Sequence, residues 1–123
     1  MAMSVTETRT PLVSKYGKEA EKVSLAWVSA ADGSATATVN IHGFLVKSVT
    51  DPSATAPTDN YDITLVQHTA DQLAGALADR DTTNGETVIH SAPIFLAGDH
   101  TFTIAAAGDS KEGTCHFYIV DSL

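Results

Sequence analysis

The sequence is poor in most of what would announce a chemistry. It has one cysteine, Cys115, in 123 residues, so it forms no internal disulfide and is not a disulfide-framed mini-protein. Only 7% of residues are aromatic and only seven are basic, against fifteen acidic, for a net charge of −8. Such a surface repels phosphate, which argues against nucleic acid and anionic membranes as partners. No apolar run approaches the roughly 18 residues of a membrane span. The polar start is also unlike the apolar core of a signal peptide. What remains is 43% hydrophobic residues in a chain the size of one domain. It is large enough to bury roughly two thirds of its unfolded surface without metals or cross-links.

The charge is unevenly spread. Met1–Lys22 holds four basic residues (Arg9, Lys15, Lys18, Lys22) and three acidic ones, and the rest carries the acidic excess. This segment has no sustained apolar period. Leu12, Val13 and Tyr16 are its only large apolar residues past the start, so it reads as an extended N-terminal arm over residues 1–22 ahead of a β-domain over 23–123. Arg9, Leu12, Val13, Lys15 and Tyr16 are the arm's candidate partner-binding residues.

From Val23 onward the apolar period is two. Val23, Leu25 and Trp27 share one strand face, and Ala35, Ala37, Val39 and Ile41 share another. Asp32-Gly33 between them predicts a hairpin turn. GFLVKSVT, YDITLVQ, ETVIH, PIFLA, HTFTIAAA and GTCHFYIV add further short strands, and the proline-bearing DPSATAPTDN is a loop. Thr69–Arg80 is the one helix candidate, with Leu73 and Leu77 four apart and Asp71 in its first turn, although Gly75 weakens it. The expectation is an all-β fold: a two-layer antiparallel β-sandwich, jelly-roll-like, with one short helix or helical turn. A small closed barrel is the alternative.

Chemistry-bearing patterns are few. His42, His68, His90, His100 and His116 stand at least ten residues apart, without the close pairs of a zinc site. Cys115 and His116 are adjacent on a strand and point to opposite faces, which rules out a thiol–imidazole pair. Arg80 between Asp79 and Asp81 reads as a pinned loop rather than a catalytic group. No glycine-rich phosphate loop or nucleophile elbow is present. The expectation is a protein that is not an enzyme, with no catalytic residue, metal or cofactor. Trp27, Phe44, Tyr61, Phe95, Phe102, Phe117 and Tyr118 read as packing residues, with a sugar-stacking platform as the rival: exposed Trp27 and Tyr118 would favour it.

The stretch from Phe44 to Asp121 resembles small structural proteins of tailed bacteriophages. The resemblance is carried by HGFLVKSVTDP, PTDNYDITL, DQLAGALADRDTTNGE and the closing FLAGDHTFTIAAAGDSKEGTCHFYIVD; YDITL followed by ADRDT is the distinctive part. It implies a virion component, made in the host cytoplasm and carried on the capsid exterior or tail. A capsid decoration (cement) protein clamping major capsid subunits is the reading preferred, as a dimer or trimer. A tail or head-to-tail connector component is the alternative, and a carbohydrate-binding head-fibre module the second. The arm would then lie across a neighbour, and deleting Met1–Lys22 is expected to leave a folded domain that no longer holds the shell.

Overall fold

A computed structural model describes residues 2–13, 19–58 and 60–121. Seven strands follow one another: β1 (Ser4–Val13), β2 (Glu19–Val28), β3 (Ala35–Pro52), β4 (Asp62–Gln67), β5 (Ala70–Asp71), β6 (Glu86–Ala105) and β7 (Glu112–Val120). All pairings are antiparallel and form a single sheet in the order β1-β2-β7-β3-β6-β4-β5, with the crossovers seen in jelly-roll-like folds.

Two strands are unusually long because runs that look separate in the sequence are continuous. β3 joins the Thr-rich run to GFLVKSVT through Gly43, and β6 joins ETVIH, PIFLA and HTFTIAAA. Gly43 has φ +133°, and a Cβ there would lie 2.6 Å from Ile119 Cγ2 and 2.7 Å from the Val120 carbonyl oxygen. Only glycine lets β3 pass this close to the end of β7. Just beyond it the β3–β6 register slips: Leu45 pairs with Ile94 and Lys47 with Ile89, so Val46 stands against His90–Pro93 as a bulge.

The slip divides the sheet. The first half of β3 pairs with the second half of β6, which in turn carries β4. The second half of β3 pairs with β7, which carries β2 and β1. The inward faces of both parts meet in one core, including Leu25 and Trp27 from β2, Ile41 and Leu45 from β3, Ile63 and Leu65 from β4, Phe102 from β6 and Phe117 from β7. The sheet curls far enough for β1 to return to the first half of β3. There Arg9 Nη2 donates to the Asn40 carbonyl, and the Thr36 N–H donates to Met3 Sδ at 3.3 Å.

The structure corrects the expected fold in four respects. There is one curled sheet rather than two stacked layers, and no helix among the described residues. Thr69–Arg80 instead supplies β5 and then consecutive tight turns, in which Ala74, Ala76 and Ala78 N–H groups donate to Asp71, Leu73 and Gly75 carbonyls. Asp71 does not start a helix; its carboxylate accepts the N–H groups of Leu65, Leu73 and Gly75, each at 3.1 Å. With Ala74 and Gly75 both at positive φ, this local competition defeats the helix while still burying Leu73 and Leu77.

The hairpin expected at Asp32-Gly33 is a corner, because β2 and β3 are not neighbours in the sheet. It interlocks with the β6–β7 corner. Buried Ser29 donates from Oγ to the Gly108 carbonyl at 2.6 Å and accepts the Lys111 N–H at 2.8 Å. Lastly, the arm is not a trailing peptide: β1 pairs with β2 from Ser4↔Val28 to Val13↔Glu19, and residue 22 lies inside β2.

Candidate interaction surface

The groups that could have made a reaction centre are dispersed. His42 and His68 are exposed, on β3 and on the turn after β4. His90 is buried at the bulge with Nε2 2.9 Å from Ser48 Oγ, and His100 is buried with Nδ1 2.9 Å from the Gly98 carbonyl oxygen. Burial holds both imidazoles below the usual histidine range. His116 Nδ1 lies 2.7 Å from Ser24 Oγ and is lowered by burial and then by the nearby Lys22 charge. No three histidine, cysteine or carboxylate side chains gather in metal-binding proximity among the described residues. Cys115 is fully buried, and burial pushes its thiol up, away from the reactive thiolate.

The Asp79–Asp81 loop is pinned by its own bonds. Arg80 donates to the Ala78 carbonyl from Nε at 3.1 Å and Nη2 at 3.0 Å, and its backbone N–H donates to Tyr61 at 2.7 Å. The Asp81 carboxylate accepts the Thr83 and Asn84 N–H groups, which hold its pKa down.

Of the arm residues proposed to bind a partner, Lys15 and Tyr16 lie outside the described residues. Val13 ends β1. Arg9 is engaged within its own chain, at 2.7 Å from Glu7, 2.9 Å from Glu21, and on the Asn40 carbonyl. Leu12 is half-buried beside a cleft of about 280 Å³ lined by Pro11, Ala20, Glu21, His42, Ile119 and Asp121. That volume is below the ~300–1,000 Å³ of most small-molecule sites.

Leu12 also belongs to a larger feature that period counting did not assemble. Where β1, β2, β7, the second half of β3 and β6 lie side by side, their outward side chains fall into cross-strand rows, three of which span all five strands. The first is Leu12, Ala20, Val120, Phe44 and Phe95; the second is Thr10, Lys22, Tyr118, Lys47 and Ile89; the third is Thr8, Ser24, His116, Val49 and Thr87. Neighbours in a row touch: the Phe44 and Phe95 ring centroids are 5.2 Å apart, and Lys47 Nζ lies 4.3 Å from the Tyr118 centroid. Ile89 is 66% exposed and Phe95 63%, the two most exposed large apolar residues described. No carboxylate stands in these three rows, but the next outward row on the same strands is Thr6, Ala26, Thr114 and Asp51, where exposed Asp51 closes the face beside His116.

The outward face of the other part of the sheet differs. Thr36, Thr38, Thr64, Thr101 and Thr103 occupy its middle with Asn40, Asp99 and Asp62 beside them, and no lysine or arginine is among these paired positions. The two outward faces meet where β1 comes back against the first half of β3.

The signal for the first face was present in the sequence, since the outward set of GTCHFYIV is His116, Tyr118 and Val120. Joining it to Phe44, Lys47 and Phe95 required strand order and the bulge. No protein-family model matches this sequence, and no curated protein is similar to it at a significant level.

Proposed function

We propose that this chain is a structural protein of a bacteriophage virion, a capsid decoration (cement) protein that binds between major capsid subunits on the outside of the shell. The observation that carries the reading is the outward face with exposed Phe95 and Ile89 and with Lys22 and Lys47, the Asp51 carboxylate at its border, on an otherwise acidic body. Exposed Phe95 and Ile89, backed by a ladder of five strands, form a rigid surface suited to another protein rather than to a small molecule. The resemblance of Phe44–Asp121 to tailed-phage structural proteins supplies the setting. A modest interface per copy, repeated over a symmetric shell, adds up to resistance against internal pressure.

A tail or head-to-tail connector component is the second reading. The two unlike outward faces favour it, since heterologous contact between unlike surfaces suits a ring. A sugar-stacking head-fibre module is the least supported. Trp27 is 1% exposed, Tyr118 lies against Lys47, and the Phe44 and Phe95 rings are tilted 49° from one another rather than coplanar.

Quantitative mass spectrometry of purified particles tests the proposal. Copy numbers in multiples of about sixty, on the shell, support cement; about six or twelve copies at the tail support the connector reading. Absence from particles removes both.

A further inference from the structure

We propose that the chain associates with itself head to tail, the face bearing Phe95, Ile89, Lys22 and Lys47 of one copy docking on the threonine- and aspartate-bearing face of the next. The inference deepens the reading of the chain as an assembly protein and rests on it. Exposed Phe95 and Ile89 mark the first face as one that gains by being covered, and Lys22 and Lys47 beside them set the charge of what covers it. Two copies of this face joined symmetrically would bring the lysines of both together, which opposes association. The matching charge is on the other outward face of the same sheet, where exposed Asp99, accepting from Asn40 Nδ2 at 2.8 Å, and half-buried Asp62, accepting the Asp79 N–H at 2.9 Å, stand among neutral threonines with no lysine or arginine in the paired positions. Both halves of the complementarity are therefore carried by one chain. Contact between unlike faces is heterologous, and it continues until a ring closes or a filament grows.

Sedimentation velocity on the full chain tests this. At about 0.1 M salt the mass should rise with concentration, and at about 1 M salt, where the screening length shrinks from ~10 to ~3 Å, association should weaken roughly tenfold or more. Phe95→Glu blocks the first face and Asp99→Lys the second; both positions are exposed, and circular dichroism should show both variants folded. Each variant alone should be monomeric, while an equimolar mixture should form one-to-one dimers and nothing larger, because each supplies the face the other lacks. Lys47→Glu with Asp99→Asn repeats the experiment with a second pair. Wild-type chain that stays monomeric at low salt overturns the proposal, as does Asp99→Lys that dimerises by itself or mixed variants that fail to pair. A monomeric chain found on particles removes this proposal and leaves the virion reading. Self-assembly by a chain absent from particles does the reverse.

Discussion

The two halves of β3 solve the same packing problem differently. From Ala35 to Gly43 the alternation is regular: Ala35, Val39 and Ile41 point inward, and Thr36, Thr38 and Asn40 meet water. From Phe44 onward that rule would bury Lys47 beside Leu45. The bulge at Val46 reverses the faces, so Lys47 and Val49 turn outward and Ser48 and Thr50 are buried. The lysine is solvated and gains the Tyr118 ring. In exchange two hydroxyls enter the core, one of them against His90. The comparison teaches that the apolar, cationic outward face results from a register shift, whereas the threonine face results from plain alternation.

The largest way to break the comparison is to remove what flanks the shifted half. Deleting Met1–Lys22 takes away β1 and the start of β2, including Val5, which packs on the core, and the Arg9 contacts that hold β1 to β3. The earlier expectation of a folded remnant therefore gives way to its opposite. The truncated chain should show no cooperative thermal transition, and a sharp melt near the wild-type Tm would show that β1 is dispensable. Next in size is Gly43→Ala at the junction of the halves. Its Cβ would collide with Ile119 and the Val120 carbonyl at a φ that side chains rarely adopt, so a loss of about 3 kcal/mol is expected in urea denaturation. Gly75→Ala is the control: its φ is also positive, but no atom lies within 4 Å of the added Cβ, so it should cost only about 1 kcal/mol.

How much of this was legible depends on whether the determining contact is local. The inward sets of β2, β4 and β7 follow from alternation, and Val23, Leu25, Trp27, Ile63, Leu65, Cys115 and Phe117 are all buried. Asp71 misled because an aspartate ahead of spaced leucines suits a helix start and a turn equally; the choice fell to Leu65, whose N–H it accepts from a neighbouring strand. Asp32-Gly33 does make a turn, but β2 and β3 part after it because β7, remote in sequence, takes the place beside β2. The arm looked unable to order itself because its apolar content is low. It is ordered by backbone pairing along all of β1, which depends little on side-chain type. The docking face was the least legible feature, since it is assembled from five strands.

Acid should act through the histidines whose pKa burial depresses. His90 and His100 are both held below the ordinary histidine pKa, chiefly by burial, so the unfolded chain binds more protons than the folded one in the window below about pH 6.5. Stability is then complete above that value and declines as the pH falls toward the depressed folded values. Thermal melts between about pH 7.5 and 5.5 should show Tm dropping by roughly 5 °C. His90→Gln should flatten part of that slope, and an unchanged slope would place the pH sensitivity elsewhere, at His100 or at His116.

The smallest effects separate the two outward faces most directly. Thr101 is exposed in the threonine face, so Thr101→Gln should leave urea stability within about 0.5 kcal/mol of wild type. Lys47 is half-buried against Tyr118, and Lys47→Gln removes a cation from over that ring, which should cost about 0.5–1 kcal/mol. The difference has a physical origin: the lysine-bearing face already uses its own side chains to cover apolar strand surface, and the threonine face has little to cover. If the two substitutions cost the same, the Lys47–Tyr118 contact would add nothing to folding. The lysine's position above the ring would then matter only for whatever docks there, and its effect would have to be sought in the association equilibrium of the Lys47 variant.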